Sequence, residues 1–319
     1  MDISAGGRHS CVIHNSELEC WGDDEYANNG KRSGNFSAVD CGSWHTCALD
    51  TAGRASCFGA GYALKASVPE IEFSKISAGF SDTCGIAASD AVILCWGAKS
   101  TLDLQPPTGA FSDVSVGTRS ACALTAKDGS VKCWGSDEFN QRSGAPTTSA
   151  FRQVTCGGGH CCALTQGGRI NCWGGSDEYR LGRAIPNTKV PHVQIATGED
   201  HSCTLGQDST VRCWGRCKEG ACDPPVNKKT SKPIEFSAIA AGGLHTCGLQ
   251  TKDQRVVCWG DVPKDMNGNE AAVPDTIGGT TKHAAITVDA RNSITEGLGG
   301  MLSRVASGMF APSSNATEL

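Results

Sequence analysis

The chain has 319 residues, 40 glycines, 19 cysteines and a formal net charge of −5. This acidic balance excludes the strongly basic surface with which nucleic-acid-binding proteins hold phosphates, and no apolar run is long enough to span a membrane. Nineteen cysteines would be unusual in a reducing cytosol, so they indicate disulfides or bound metal.

One sequence unit occurs seven times along the chain. Each copy has a Val/Ile-rich strand, a glycine turn, a second strand carrying a cysteine, and a third strand ending in Cys-Trp-Gly or Cys-Phe-Gly. The first turn glycines are Gly6, Gly42, Gly79, Gly117, Gly157, Gly198 and Gly242. A unit of 36 to 44 residues with several short strands and no helical periodicity is typical of propeller blades. Residues 1–260 are therefore predicted to form an all-β, seven-bladed β-propeller.

Residues 261–319 depart from the repeat and are predicted to form a C-terminal extension. We expect a strand at about 283–289 and an amphipathic helix at about 293–310 with Met301, Leu302 and Val305 on its apolar face. Because the chain begins inside a repeat, blade one is expected to lack its leading strand, which the late strand would supply to close the ring. The helix would dock on the propeller, on a partner or on a membrane surface.

Two cysteines occupy equivalent places in every repeat, one in the second strand and one before the Trp-Gly or Phe-Gly corner. They are 9 to 11 residues apart, which places them opposite each other in an antiparallel hairpin, within disulfide reach. An additional pair would close its own small loop. The predicted disulfides are Cys11–Cys20, Cys47–Cys57, Cys84–Cys95, Cys122–Cys133, Cys162–Cys172, Cys203–Cys213, Cys247–Cys258 and, as the additional pair, Cys217–Cys222.

The sequence does not decide the pairing of the three remaining cysteines. Cys156 and Cys161 bracket the fifth turn and either pair or exchange with Cys162, while Cys41 is either a buried thiol or a handle for an intermolecular bridge. Zinc held by the repeated histidine and cysteines is the rival interpretation. It is disfavoured because Asp82 and Ser120 replace the histidine in repeats three and four while the cysteine pair persists. We predict no metal and no cofactor.

Acidic and aromatic residues follow three of the Trp-Gly corners. Equivalent loops of a propeller emerge on one face, so these loops are candidates for a shared partner-binding surface. The alternative is that the aromatic rings pack between blades while the carboxylates are solvated or cap turns. The candidate binding residues of these loops are Asp24, Glu25 and Tyr26, then Asp137, Glu138 and Phe139, and finally Asp177, Glu178 and Tyr179.

Other repeated side chains are assigned from their place in the unit. The corner tryptophans are expected to pack between blades, and the repeated histidines to hydrogen-bond loop backbone. Trp44, an aromatic residue outside the pattern, is a further binding candidate. No Ser-His-carboxylate arrangement, paired acid or phosphate-binding glycine loop stands out, so no catalytic residue is predicted.

The pattern Ala-Gly-x-x-His-Ser/Thr-x-Ala-Leu followed by Trp-Gly resembles the regulator of chromosome condensation repeat over about Ile3–Gly260. This resemblance implies a seven-bladed propeller. The cysteine-bearing version is similar to secreted and ectodomain members, including crinkly-type plant receptor ectodomains. The nuclear member's guanine-nucleotide exchange and chromatin binding are not carried over, because the chain has no basic tail and its disulfide chemistry does not suit the nucleus.

These observations favour a non-catalytic protein-binding or scaffolding propeller, alone or within a larger assembly, in an extracellular or lumenal oxidising compartment. Carbohydrate binding through Trp44 and loop tyrosines is the alternative, and an enzyme using the central channel is a third hypothesis. No signal segment is visible, and the chain is expected to be a processed or excised domain. Two N-glycosylation acceptor triplets, Asn35-Phe36-Ser37 and Asn315-Ala316-Thr317, mildly favour export.

Overall fold

The computed structural model describes residues 2–23, 25, 29–60, 68–98, 105–148, 150–175, 185–186, 189–262 and 273. The chain divides into two compact units, Met1–Ala284 and Ala285–Leu319. The strand and helix predicted at about 283–289 and 293–310, with Met301, Leu302 and Val305, lie outside the described residues. Within the described residues, no helix is long and apolar enough to cross a membrane.

The described strands form seven antiparallel sheets, one for each repeat. Each sheet is a blade in which consecutive strands pair from the inner to the outer edge, and blade one has a fourth strand. The strands of blades one to three are β1 (Asp2–Ala5), β2 (His9–His14), β3 (Glu17–Gly22), β4 (Gly30–Arg32), β5 (Phe36–Cys41), β6 (His45–Asp50), β7 (Ala55–Gly59), β8 (Phe73–Ala78), β9 (Asp82–Ala87) and β10 (Ile93–Gly97). Those of blades four to seven are β11 (Phe111–Val116), β12 (Ser120–Thr125), β13 (Val131–Gly135), β14 (Phe151–Cys156), β15 (His160–Thr165), β16 (Ile170–Gly174), β17 (His192–Thr197), β18 (His201–Gly206), β19 (Val211–Gly215), β20 (Phe236–Ala241), β21 (His245–Gln250) and β22 (Val256–Gly260). A 3-10 turn, Lys218–Gly220, lies between blades six and seven.

The structure of blade one shows that one expectation from the sequence was wrong. It does not lack its leading strand, because β1 pairs with β2 from Asp2 opposite Ile13 to Ala5 opposite Ser10. Strand β1 occupies the inner position that β5 occupies in blade two and is only shorter, with four residues against six. A late strand is therefore not needed to fill that position.

Disulfides staple the blades in the predicted manner. In each blade, the second and third strands place their cysteines directly opposite, as Cys11 faces Cys20 in blade one. All seven of these pairs are bonded, with Cα atoms 4.0–4.1 Å apart. Cys217 bonds Cys222, and Cys156 bonds Cys161 across the glycine turn. Cys41 is the one free thiol among the 19 cysteines, and it is buried.

The hydrophobic core lies between the blades. Seven apolar clusters fill the seven seams between neighbouring sheets, and each corner tryptophan is buried in one of them. Trp21 of blade one, for example, packs with Ala240 and Leu249 of blade seven. The predicted role of these tryptophans in blade packing is confirmed, because each one covers the apolar face that its neighbour could not bury alone.

Glycine is required at the first position of every turn because the blades touch there through backbone. A Cβ at Gly157 would overlap the carbonyl oxygen of Gly198 in the next blade. The equivalent overlap occurs at all seven seams, including Gly242 against Gly6 of blade one. Gly243 N also donates to Gly6 O at 3.0 Å. The ring is therefore closed by direct contact between blades seven and one.

Candidate functional site

Two sets of loops form one end of the propeller. In every blade, the loop that follows the third strand donates a backbone hydrogen bond to the glycine turn that precedes the second strand. These bonds run from Asp23 N to Arg8 O, Ala60 N to Trp44 O, Ala98 N to Ser81 O, Ser136 N to Arg119 O, Gly175 N to Gly159 O, Arg216 N to Asp200 O and Asp261 N to Leu244 O, at 2.8–3.2 Å. We call this end the turn face. The opposite end, which carries the turns between the second and third strands, is the hairpin end.

Aromatic residues from neighbouring blades meet on the turn face. Trp44 of blade two and Phe80 of blade three pack edge to face, with ring centroids 6.3 Å apart and planes at 87°. Arg8 of blade one lies over the Trp44 ring, with its Cζ 5.7 Å from the centroid. Both rings are partly exposed and Arg8 is exposed. We call these three residues the aromatic patch; an edge-to-face pair and a cation over a ring are both favourable arrangements.

The loop after the blade-four corner also lies on the turn face. Asp137 accepts hydrogen bonds from the backbone N–H groups of Arg142 and Ser143, each at 2.9 Å, and these bonds lower the pKa of its carboxyl. Glu138 pairs with Arg119 at 3.1 Å. Phe139 has 39% of its surface exposed and lies against Gly159 of blade five. Phe139 is thus available to a partner, whereas Asp137 serves as a turn cap.

Carboxylates of the turn face are matched by arginines. Asp23 lies 3.5 Å from Arg8 in blade one, and Asp200 lies 3.0 Å from Arg216 in blade six. Glu25 is exposed, and its backbone N–H donates to Asp23. Four carboxylates of the described part of the face, those of Asp23, Asp137, Glu138 and Asp200, are therefore paired with arginines within the protein. The candidates Asp24, Tyr26, Asp177, Glu178 and Tyr179 lie outside the described residues.

The repeated histidines form a belt of interblade hydrogen bonds. Each histidine Nε2 meets a serine or threonine hydroxyl of the next blade, and the ring tautomer decides which atom donates. The pairs are His9–Thr46 at 2.7 Å, His45–Thr83 at 2.8 Å, His160–Ser202 at 2.8 Å, His201–Thr246 at 2.9 Å and His245–Ser10 at 2.8 Å. The expectation that these rings bond loop backbone was wrong, because the next blade presents its hydroxyl directly to Nε2.

Burial keeps the belt histidines neutral. Desolvation lowers the pKa of His9, His160 and His245 to about 3 and that of His45 and His201 to about 4. Each belt histidine is protonated only in strong acid and is hydrogen-bonded to the neighbouring blade, so its role is to hold the two blades together.

Carboxylates of the inner strands also tie neighbouring blades. Asp2 accepts a hydrogen bond from Val39 N at 3.0 Å, and Asp40 accepts one from Ala78 N at 2.8 Å. Burial raises the pKa of both carboxyls. Sequence reasoning did not single out these acids, although their alternation with apolar residues along the inner strands was the available signal. Because backbone N–H groups of the next blade donate to them, these carboxylates hold neighbouring blades together.

Two sulfur-rich clusters have metal-like spacing. His9, Cys11 and Cys41 approach within 4.8 Å of one another, as do Cys122, Cys156 and Cys161. All of these cysteines except Cys41 are in disulfides, and a disulfide sulfur is not the thiolate that zinc binds. The clusters therefore do not fit a zinc site in the oxidised protein.

Comparisons with known proteins agree with this architecture. Residues 111–141 and 151–180 match the Regulator of chromosome condensation (RCC1) repeat. The ectodomain of the Physcomitrella patens receptor kinase CR4 is similar, with 24% identity, a TM-score of 0.68 and coverage of 81% of this chain and 72% of that one. The crinkly ectodomain of Arabidopsis thaliana receptor kinase ACR4 has 25% identity, a TM-score of 0.65 and coverage of 86% and 96%.

A more distant similarity shows the fold alone. Prp20p from Saccharomyces cerevisiae has 15% identity, a TM-score of 0.63 and coverage of 79% and 82%. A comparison with curated protein sequences gives no significant match. The chain is thus a disulfide-stapled seven-bladed β-propeller in which two repeats match the regulator of chromosome condensation repeat, and it is similar in structure to the ectodomains of plant receptor kinases.

Proposed function

We propose that this propeller is a non-catalytic binding module of an oxidising extracellular or lumenal compartment, and that its turn face binds another protein. The observation that carries the proposal is the aromatic patch, in which Arg8, Trp44 and Phe80 come together from three blades. Tryptophan and arginine are the residue types most enriched among the residues that dominate binding energy at protein interfaces.

The rigid ring supports this role. Nine disulfides fix the hairpins and two of the connecting loops, and the glycine turns are locked against the next blade. A surface carried on such turns loses little conformational entropy when a partner binds. Nine disulfides also favour an oxidising compartment, as does the 25% identity to a receptor ectodomain.

Carbohydrate binding is the second candidate, because a partly exposed tryptophan ring is what sugar stacking requires. Arg8 already covers one side of the Trp44 ring at 5.7 Å, which leaves less of the ring for a sugar. A protein surface can contact the ring edge, Phe80 and the guanidinium together. We therefore prefer a protein partner.

Site-specific photo-cross-linking in the native compartment tests the proposal. A photoreactive phenylalanine analogue is placed at Phe80, at Phe139, or at Ile71 as the control. Ile71 is similarly exposed, at 38%, and lies near the hairpin end. We expect the two turn-face positions to cross-link to the same partner and the control not to do so.

Affinity measurements then separate the two candidates. Trp44→Ala is expected to weaken binding of the cross-linked partner at least tenfold, or about 1.4 kcal/mol, whereas Ile71→Ala leaves it unchanged. Equal cross-linking from both ends would overturn the turn-face assignment. Glycan binding that is lost in Trp44→Ala, without a cross-linked protein, would replace the protein-binding proposal with the carbohydrate one.

A further inference from the structure

An exposed asparagine lies at the hairpin end of blades one and two. Asn35 follows the short strand β4 and directly precedes β5, and its side chain is exposed. Its backbone carbonyl accepts a hydrogen bond from Thr51 N at 2.7 Å, and the next residue, Phe36, donates to Ser16 O at 2.9 Å. Asn35 is therefore held between the hairpin turns of two blades.

The fold fixes the backbone at this position. Among the described residues, no hydrogen bond uses the Asn35 amide, although Ser37 two residues later donates its hydroxyl to Asp50 O at 2.9 Å. Phe36, the middle residue of the triplet, is not proline, so Asn35-Phe36-Ser37 meets the acceptor pattern for N-linked glycans. An acceptor triplet on a surface loop is the structural context in which this pattern carries weight.

We propose that Asn35 carries an N-linked glycan. In the transfer, Nδ2 of Asn35 attacks C1 of the first sugar of a lipid-linked oligosaccharide diphosphate. The bond from C1 to the diphosphate oxygen breaks, the lipid diphosphate leaves with the electron pair, and the amide nitrogen loses one proton. The proposal rests on the secretory compartment of the proposed function, since only there would the chain meet this donor.

The position of the glycan has a consequence for the turn face. Strand β5 has six residues and rises about 3.3 Å per residue, so the two ends of the blade lie roughly 20 Å apart. A glycan at Asn35 would cover the hairpin end of blades one and two and leave the aromatic patch uncovered. We expect Asn35→Gln to leave the affinity for a turn-face partner unchanged.

Peptide mapping of the protein isolated from its own source tests the proposal. Enzymatic removal of N-glycans in 18O-labelled water converts a glycosylated asparagine to labelled aspartate, so the label should appear on the peptide containing Asn35. The acceptor at Asn315 falls on a different peptide and is read separately. In the source cells, Asn35→Gln should abolish the label at this position, whereas Asn171→Gln, at an exposed asparagine outside any acceptor triplet, should retain it.

Failure of the glycan proposal and failure of the proposed oxidising compartment give different results in this experiment. If the disulfides are formed and the Asn35 peptide is recovered without label, the proposal of a glycan at Asn35 is wrong, and the proposal of an oxidising compartment is retained. If the cysteines are recovered as free thiols, both the oxidising compartment and the glycan are overturned.

Discussion

Ser10 and His245 are 235 residues apart in the chain, yet Ser10 Oγ and His245 Nε2 share a hydrogen bond of 2.8 Å. Both residues are buried, and the bond joins the first blade to the seventh. It is one member of the histidine belt, and it lies beside the backbone bond from Gly243 N to Gly6 O. Ring closure therefore uses the same chemistry as the other four histidine seams.

Removing the hydroxyl at the closing seam should weaken the ring. Ser10→Ala leaves the buried Nε2 of His245 without its partner, at a cost of about 1–3 kcal/mol in the free energy of unfolding. Ser10→Thr is the matched control, because Thr46, Thr83 and Thr246 fill the equivalent position in other blades. Denaturant unfolding of the unreduced proteins measures the difference. Equal loss in both variants would mean that packing, and not the hydrogen bond, matters at this seam.

Acid should destabilise the propeller through the belt histidines. Their pKa falls from 6.5 in the unfolded chain to about 3 or 4 in the fold, so between these values the unfolded chain binds more protons. Stability then rises with pH in this window and is lost as pH falls from about 6.5 towards 4, by up to about 1.4 kcal/mol per histidine per pH unit. Well above pH 7 the belt contributes no pH dependence.

The measurement is the free energy of unfolding against pH for the wild-type chain and for His201→Gln. The variant should show a shallower slope between pH 4 and 6.5 by up to one proton, and parallel behaviour above pH 7.5. Because the acidic residues are the same in both proteins, the difference reports the titration of His201 together with its electrostatic effect on His160 and His245. Identical slopes below pH 6.5 would show that His201 is not kept neutral by the fold.

The sequence predicted what is local to one repeat. The hairpin disulfides follow from spacing alone, because the short turn between Cys11 and Cys20 sets which residues face each other. The belt was missed because His9 and Thr46 belong to different repeats, and only the curvature of the ring brings them together. The sequence did contain a signal for the belt. In the two repeats where Asp82 and Ser120 replace the histidine, the following repeat also lacks the serine or threonine that would have been its partner.

The histidine of one repeat and the hydroxyl residue of the next are therefore present together or absent together. Where a repeat has lost its histidine, the following repeat has Ala121 or Cys161 in place of serine or threonine.

The candidate site was also predicted only in the part that one repeat contains. Trp44 was singled out as an aromatic residue outside the pattern. Its neighbours Arg8 and Phe80 were not singled out, because three different blades supply the three side chains.

Cys41 should be inert in the folded protein. It is buried, and desolvation raises the pKa of its thiol well above the usual value, so little reactive thiolate forms. Alkylation without reductant should be negligible in the native state and should give one labelled thiol per chain after unfolding. Cys41→Ser should give none. Rapid labelling of the native protein, or more than one thiol, would contradict the assigned disulfides or the burial of Cys41.

Alanine at the first glycine of a turn should be far more destabilising than alanine at a surface glycine of the same blade. At Gly157 an added Cβ would overlap Gly198 O of blade six, so the seam must open or the turn must move. At Gly167 the added Cβ meets no atom within 4 Å and the backbone is not left-handed. We expect Gly157→Ala to cost about 2–4 kcal/mol, in the range of overpacked or strained core substitutions, and Gly167→Ala to stay within about 0.5 kcal/mol. Thermal unfolding of both variants measures the difference, and equal stability would show that the blades can separate at this seam without loss.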